Sequence, residues 1–284
     1  SAASDVYKRQ REHGIDFIIC DHHVPDDELP QAVAILNPKM PGSTYPCPHL
    51  SGCGVGYKLM QAFSISNGIP QADLEGMLDL VAVSIAADIV PMVDENRVMT
   101  FYGLRRLNSN PNMGLRAIIR ICGLTGKEIT ISDVIFKIGP RINASGRMQS
   151  GREAVDLLVS RDITDAYQKA RNIDQYNKDR KELDRRITEE ANAILSQRIE
   201  AGSNKKSIVI FNKDWHKGII GIVASRLTEL YYKPSVVLTL SNGLATGSSR
   251  SVQGFDIYAA VDSTRDLLEN FGGHTYACLL YTSD

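Results

Sequence analysis

The chain has 284 residues, of which 43% are hydrophobic and 23% charged, and its formal net charge is -1. This composition is typical of a globular protein with enough apolar residues for two cores. The near-neutral charge gives no overall nucleic-acid signature, so an anionic substrate would have to be held by local charge or by a metal. Five cysteines lie scattered without a CxxC pair, which argues against a zinc ribbon or a disulfide framework and predicts a cytoplasmic protein with reduced thiols.

The first part of the chain predicts strands alternating with helices. Short apolar, β-branched runs predict strands at 15–20 and 32–36. A glycine turn then leads into a predicted helix over 51–63, and 73–93 predicts one mostly apolar helix that ends near Pro91. Two shorter helices are predicted over 95–107 and 113–122.

Residues 152–200 are dense in charge, contain no proline and keep an apolar stripe, which predicts one or two long amphipathic helices. A second α/β pattern follows, with strands predicted at 207–211, 235–240 and 244–249 and helices at 218–230 and 255–269. The prediction is therefore an α/β protein with a parallel-sheet domain at 1–150, connecting helices at 151–203 and a smaller α/β domain at 204–284.

The sequence "DFIICDHH" places Asp21, His22 and His23 directly after the first predicted strand. Ligands collect at the carboxyl ends of parallel strands, so these side chains suit a site at the rim of the sheet. Imidazole and carboxylate together suit Mn²⁺, Zn²⁺ or Fe²⁺. A polar loop start that caps the next segment explains the same residues equally well.

Asp88 ends the apolar stretch "LVAVSIAAD". A carboxylate there is costly unless it is paired or binds a metal. A helix-end acid bonded to a nearby backbone amide is the simpler interpretation when Asp88 is considered alone. If both segments end at one site, His22 and Asp88 should lie close enough to share a cation.

Three glycine-containing segments are candidates for phosphate binding. "KIGPRINASGRM" at 137–148 is predicted to be a loop that carries arginines, whose planar forks match phosphate. "TGSSRS" at 246–251 and "FGGHTYA" at 271–277 predict small hydroxyls, backbone amides and a histidine near turns. Each signal is weak alone, and the first segment could equally be an interdomain hinge.

Together these motifs resemble the DHH phosphoesterase superfamily, and within it the RecJ-type exonucleases that degrade single-stranded DNA. The resemblance runs from about residue 11 to residue 277. The matching stretches are "DHH" at 21–23, "LPQAVAILNPK" at 29–39, "LSGCGVGYKLMQAF" at 50–63, "VSIAADIVPMVDENR" at 83–97, "GPRINASGRM" at 139–148, "WHKGIIGIVASRL" at 215–227, "GSSRSV" at 247–252 and "GGHTYA" at 272–277.

The resemblance implies a DHH domain, here incomplete, joined by long helices to a smaller DHH-associated domain that grips nucleic acid. It also implies two divalent ions, Mn²⁺ or Mg²⁺, with His22 and Asp88 as metal ligands and Asp21 and His23 in the catalytic cluster. The nucleic-acid-binding residues that it implies are Arg141, Asn143, Arg147, Ser249, Arg250, Gly272, Gly273 and His274. Single-stranded DNA is the implied substrate and single-strand-binding protein an implied partner.

Two family motifs have no counterpart in this sequence. The family's Asp-x-Asp pair, which supplies two metal ligands, and a further Asp before the DHH strand are both missing. The sequence therefore predicts a piece of a longer 5′→3′ exonuclease of DNA repair and recombination, itself inactive or nearly so. Two other functions remain open: a DHH-family oligoribonuclease or cyclic-dinucleotide phosphodiesterase, and a nucleic-acid-binding relative without catalysis.

Overall fold

The computed structural model describes residues 9–10, 12–25 and 29–282. The chain divides into two compact units, Ser1–Gln175 and Tyr176–Asp284. Because this division falls inside one long helix, it does not decide between the predicted domain boundaries at 150 and 203, which stay predictions. In the part of the chain that the structure describes, no helix combines the length and the apolar character that a bilayer crossing requires.

The first unit contains two short parallel strands, β1 (Ile18–Cys20) and β2 (Ala34–Leu36). Both predicted strands are present, although each pairs over only three residues. The amide of Asp21 still donates to the carbonyl of Leu36 at 2.9 Å, so the ladder reaches one residue beyond β1. His22 is therefore the first residue past the carboxyl end of the sheet.

Helices make up the rest of the first unit, and the longest continues into the second unit. They are α1 (Gly52–Asn67), α2 (Ala72–Glu75), α3 (Leu78–Ala87), α4 (Asp94–Ser109), α5 (Met113–Ile121), α6 (Ile131–Asp133), a π-helical turn (Val134–Ile138), α7 (Gly139–Met148), α8 (Gly151–Leu158) and α9 (Ile163–Glu200).

The prediction of one helix over 73–93 is wrong in its extent. The helix is interrupted at Gly76 and Met77, which separate α2 from α3, and α3 ends at Ala87, before Pro91. Gly76 at the interruption has weak helix propensity, and its carbonyl accepts a hydrogen bond from Nε of Arg106 at 2.9 Å. The apolar pattern continues across the interruption, so periodicity alone does not reveal it.

The prediction of a loop at 137–148 is also wrong, because this segment forms the end of the π-helical turn and all of α7. Its glycines suggested a loop, yet Pro140 occupies the first helical turn, where its missing N–H costs nothing. Ile138 and Ala144 are fully buried and anchor the segment to the core. Burial of this face outweighs the weak helix propensity of glycine.

The core of the first unit is built around α3, whose inner face is completely buried. One cluster of buried residues joins α3 to α1, α2, α4 and the loop before α1; it contains Cys47, Leu50, Val55, Tyr57, Leu74, Leu78, Val81, Ile85 and Met99. The tightest approach is at Gly103 of α4, where an added Cβ would lie 2.5 Å from the Cβ of Ala82 and would overlap the carbonyl of Leu78. Glycine at this position lets α3 and α4 pack backbone against side chain.

The second unit contains a five-stranded sheet in the order β3-β4-β5-β7-β6, in which the β3–β4 pair is parallel and the other pairs are antiparallel. Its elements are β3 (Ile208–Phe211), α10 (Ile220–Tyr231), β4 (Ser235–Ser241), β5 (Leu244–Arg250), α11 (Ile257–Asp262), a 3₁₀ turn (Arg265–Leu267), β6 (Asn270–His274) and β7 (Ala277–Thr282).

Two expectations for the second unit need correction. The helix predicted over 255–269 ends at Asp262 and is followed by the separate 3₁₀ turn. The glycine motif at 271–277 is not an irregular turn but part of a β-hairpin: it forms the end of β6, the connecting turn and the first residue of β7. Gly273 explains this, because a Cβ there would overlap the carbonyl of Ala277 across the hairpin. The close approach of two strands, rather than a ligand, requires that glycine.

We expect Gly103→Ala to destabilise the protein by about 1–3 kcal/mol, the usual cost of overpacking a well-filled contact. The matched control is Gly56→Ala in α1, where an added Cβ meets no atom within 4 Å. That control should be neutral or stabilising by up to about 1 kcal/mol, because alanine favours helix. Chemical denaturation of both variants measures the difference, and equal stabilities would show that α3 and α4 are not in close contact.

Candidate functional site

Asp21 ties together the turn that follows β1. Its Oδ1 accepts from the amides of His22 at 2.7 Å and His23 at 3.2 Å, and lies 2.7 Å from Nδ1 of His23. Burial alone would raise the pKa of Asp21, but the bonds from the His23 ring and the two amides outweigh it and lower the pKa. The carboxylate thus stays ionised and fixes the His23 ring, which is 77% exposed.

His22 points inward, towards Asp88. Its Nε2 lies 3.1 Å from Oδ2 of Asp88, and its side chain is 14% exposed. Burial lowers the pKa of His22, while the Asp88 carboxylate opposes that shift. The imidazole is therefore neutral near pH 7, which is the form that binds metals. The predicted convergence of these two residues is confirmed, whereas their role as metal ligands stays a prediction.

The end of α3 delivers Asp88 to this point. The amide of Asp88 donates to the carbonyl of Ser84 at 3.0 Å, and the next residue, Ile89, has a φ of 55°. A β-branched residue in the left-handed region is unusual and costs about 1–2 kcal/mol. The Ile89 side chain is 79% exposed, so packing does not require it there. Strain at Ile89 accompanies the sharp helix end that turns Asp88 towards His22.

The start of α1 lies beside the same histidine. Ser51 caps α1 by accepting from the amide of Gly54 at 3.1 Å, and it receives a hydrogen bond from Ser84 of α3 at 3.1 Å. An added Cβ at Gly52 would lie 3.5 Å from Cδ2 of His22. The serine pair thus links the helix that carries Asp88 to the helix against which His22 lies. Sequence reasoning missed this pair, although the Ser-Gly-Cys-Gly pattern does signal a helix cap.

The helix α7 begins next to Asp88. A Cβ added at Gly139 would lie 3.3 Å from the Cβ of Ala87, the residue before Asp88. From this helix Arg141 forms an ion pair with Asp174 at 2.8 Å and donates to the carbonyl of Lys137 at 2.8 Å. Arg141 is thus held in place by a carboxylate and a carbonyl that both belong to the first unit.

The other two predicted residues of this segment, Asn143 and Arg147, lie on α7 with exposed side chains. They are on the same helix as Arg141, so the structure keeps the three predicted residues together. Their helical spacing replaces the flexible loop that the sequence suggested.

In the second unit, strand register brings Arg250 and His274 to one face of the sheet. Arg250 is opposite Ala277, and Ala277 is opposite His274, so the three form one row across β5, β7 and β6. Two strand spacings separate the outer members, about 10 Å. The Arg250 guanidinium donates to Oγ of Ser248 at 3.0 Å and to the Ser249 carbonyl at 2.7 Å, which fixes its direction.

Gly272 and Gly273 differ in their surroundings. A Cβ at Gly272 would meet no atom within 4 Å, so this position faces open space, whereas Gly273 is required by its own hairpin. Ser249 is fully buried and its hydroxyl lies 3.4 Å from the Cys278 carbonyl, on the sheet face opposite Arg250. Alternate residues of a strand point to opposite faces, so Ser249 does not share the face of Arg250, and its role in nucleic-acid binding stays a prediction.

The cluster of Asp21, His22 and His23 can hold a metal ion. One ligand atom from each of the three lies within 4.8 Å of the others, and Asp88 adds a carboxylate beside His22. The buried Nδ1 of His22 has no hydrogen-bond partner among the residues that the structure describes. Leaving such an atom unsatisfied costs about 1–3 kcal/mol, which a bound water would offset. The donor set fits a divalent cation.

Comparison with known proteins identifies the class. Residues 1–85 match the N-terminal domain of the DHH family, and residues 204–283 match the DHHA1 domain. Both segments thus match domains of the DHH family.

The chain is also similar to RecJ proteins. It is 40% identical to the single-stranded-DNA-specific exonuclease RecJ of Bacillus subtilis over 97% of this chain and 34% of the relative, and 34% identical to that of Salmonella typhimurium over 93% and 48%. The crystal structure of Thermus thermophilus RecJ with Mn²⁺ superposes with a TM-score of 0.82 at 29% identity, over 96% of this chain and 39% of that one. The chain thus spans between a third and a half of the length of these relatives.

We expect Ile89→Gly to be more stable than Ile89→Ala by about 1 kcal/mol, because only glycine adopts a positive φ without strain from a Cβ. The alanine variant removes the same exposed side chain but keeps the Cβ, so it serves as the matched control. Thermal unfolding of the two variants measures the difference. If alanine proves equal to or better than glycine, residue 89 is not in the left-handed conformation.

Proposed function

We propose that this chain carries the catalytic site of a divalent-metal-dependent nuclease that hydrolyses phosphodiester bonds of single-stranded DNA. The observation that carries the proposal is the 3.1 Å approach of His22 Nε2 to Asp88 Oδ2 beside the Asp21–His23 pair. The similarity to RecJ proteins supports single-stranded DNA as the substrate and Mn²⁺ or Mg²⁺ as the metal. Cytoplasmic location, 5′→3′ polarity and single-strand-binding protein as a partner belong to the same proposal.

In this site His22 and Asp88 would hold the ion, with Asp21 next to them. A bound divalent ion lowers the pKa of its water and neutralises charge on a phosphoryl oxygen. The protein's own contribution is orientation. The carboxylate of Asp21 fixes Nδ1 of His23, which leaves the exposed edge of the His23 ring free to contact a phosphate.

The row of Arg250 and His274 would bind the phosphates of the strand. Arginine donates two parallel bonds to a phosphate, and the open space over Gly272 allows a ligand to approach the backbone of the sheet. The two bonds that direct the Arg250 guanidinium support a pre-organised phosphate contact. Asn143 and Arg147 on α7 are further contacts of this proposal.

Metal binding tests the centre directly. Mn²⁺ binding, measured by the loss of the free-ion EPR signal, should weaken at least tenfold in His22→Gln and in Asp88→Asn, since each removes a ligand. The matched controls are His49→Gln and Asp156→Asn, which make the same changes at exposed positions outside the cluster. If all four variants bind Mn²⁺ as the unaltered chain does, the metal is elsewhere.

We also propose that residues 1–284 by themselves release nucleotides slowly or not at all. The described residues bring two carboxylates, Asp21 and Asp88, to the cluster, whereas two adjacent divalent ions need several to offset their charge. Loss of part of a catalytic unit usually costs most of the rate.

The test compares this chain with a version preceded by the Asp-x-Asp strand of a RecJ relative. Nucleotide release from single-stranded DNA with Mn²⁺ should appear in the extended protein and disappear with chelator. Robust chelator-sensitive release by residues 1–284 would overturn the inference that further carboxylates are needed. Preference of the extended protein for di- to tetranucleotides over long strands would instead favour an oligoribonuclease or cyclic-dinucleotide phosphodiesterase.

Arg250→Ala should weaken binding to single-stranded DNA and flatten its dependence on salt by about 0.7 in the slope of log K against log salt, the value for one phosphate contact on a single strand. Arg185→Ala is the control, because this exposed arginine pairs with Glu189 in the same unit. Fluorescence anisotropy with chelator present measures both variants. An unchanged slope in Arg250→Ala would remove this residue from the binding surface.

A further inference from the structure

A large groove lies in the first unit, apart from the histidine cluster. It has a volume of about 1140 Å³ and is formed by the second half of α4, by α5, by the segment 124–131 and by Tyr167. Buried apolar side chains contribute to its lining; these are Leu107, Ile119, Leu124 and Ile129. The four cations among its lining residues are Arg105, Arg116, Arg120 and Lys127, and we call this set the groove cations.

The groove cations are not neutralised by the protein. Glu128 is the one carboxylate among the lining residues, and no groove cation forms an ion pair with a carboxylate in the described part of the chain. All four side chains are exposed. In a protein with net charge -1, four cations against one carboxylate are a local excess that suits an anionic ligand.

Two of the guanidinium groups lie over aromatic rings. The Cζ of Arg120 is 4.7 Å from the centre of the Tyr167 ring, and that of Arg105 is 5.8 Å from the centre of the Phe101 ring. Phe101 is itself 56% exposed. Cations combined with exposed aromatic rings are the features with which proteins bind single-stranded nucleic acids, because bases stack on the rings while cations hold the backbone.

The walls of the groove are fixed before any ligand binds. Asn108 of α4 donates to the Ile129 carbonyl at 2.9 Å and accepts from the Ile129 amide at 2.7 Å, which pins the segment 124–131 to α4. Thr130 and Asp133 form a capping box at the end of that segment, and Lys137 pairs with Asp133. The bonds that bind Lys137 and Thr130 lower the pKa of Asp133 to about 2. A preformed groove avoids much of the ordering cost of binding.

The helix α4 also separates the groove from the histidine cluster. Asn96, near the start of α4, bonds to the carbonyls of His49 and Pro91 close to Asp88, while Phe101, Arg105 and the groove lie towards the other end of the helix. At 1.5 Å per residue, Arg105 is about 13.5 Å further along α4 than Asn96. A ligand in the groove is thus distinct from one that binds at Asp88.

We propose that this groove binds the sugar-phosphate backbone of a single-stranded nucleic acid at a second contact outside the catalytic centre. Arg116 and Arg120 are one turn apart on α5, about 6 Å between their Cβ atoms, so they present charge at a regular interval to a regularly charged strand. The inference extends the proposed function, since it rests on the chain acting on single strands. The groove would hold the strand without taking part in cleavage.

The test compares Arg116→Gln/Arg120→Gln with Arg152→Gln/Arg185→Gln. Both double variants remove two exposed positive charges, but the second pair lies outside the groove and is matched by Asp156 and Glu189. Binding of a long single-stranded oligodeoxynucleotide and of a trinucleotide is measured by fluorescence anisotropy over a salt series, with chelator present so that no cleavage occurs.

For the long strand, we expect Arg116→Gln/Arg120→Gln to lower the slope of log K against log salt by about 1.4, since two phosphate contacts are lost at about 0.7 each. Binding of the trinucleotide should be unchanged. The control variant should match the unaltered chain. Equal slopes for both variants would overturn the proposal. Binding of poly-glutamate is measured in the same way. If Arg116→Gln/Arg120→Gln loses poly-glutamate binding while its DNA binding is unchanged, the groove binds an acidic protein segment and the proposal is overturned. Because the assay involves no turnover, failure of the nuclease proposal would appear only in the cleavage assay.

Discussion

The meeting of His22 and Asp88 is the constraint on which the first unit depends. The two residues come from separate elements, the end of a parallel strand and the end of an apolar helix, yet Nε2 and Oδ2 are 3.1 Å apart. The Asp88 side chain is 43% exposed, and a partly exposed pair of this kind contributes little to stability by itself. The strand and the helix must therefore be held at this distance by packing around them, and the structure shows how.

Three close contacts surround α3, the helix that ends at Asp88. Gly103 brings α4 against it, Gly139 brings the start of α7 against Ala87, and the bond from Ser84 to Ser51 joins it to α1. In each case a small residue stands where a larger side chain would push the elements apart. Since His22 lies against the start of α1, these contacts fix both halves of the site through one helix.

The sequence predicts the elements of this arrangement better than their contacts. Apolar runs identified both strands that flank the histidines, and the apolar stripe in the charge-dense residues 152–200 predicted long helices. Periodicity could not reveal the interruption at Gly76, because Arg106, which donates to the Gly76 carbonyl, is distant in sequence. Glycine content misled at 137–148, where burial of Ile138 and Ala144 makes a helix of a segment with weak propensity.

The candidate site shows the same division. Motif residues such as His22 and Asp88 could be singled out from their positions at the ends of apolar elements, whereas Gly52 and Ile89 act through backbone geometry that sequence patterns do not encode. Ser249 neighbours Arg250 in sequence, but strand alternation places its side chain on the opposite face of the sheet, where it is buried. A matching motif thus locates a strand more reliably than it assigns each of its side chains.

Charge is distributed unevenly over the surface of the protein. The net charge of -1 is the sum of surfaces on which positive and negative charges are paired and surfaces on which positive charge is in excess. Two exposed arginines of α9 pair one turn away with acids, Arg185 with Glu189 and Arg186 with Glu190, whereas the groove cations have one carboxylate among the residues that line the groove. Arginines paired with acids attract polyanions less than unpaired ones do, so a polyanion would be drawn to the places where positive charge is in local excess. Under the proposed function, a chain with a net charge of -1 would in this way bind nucleic acid at defined points of its surface.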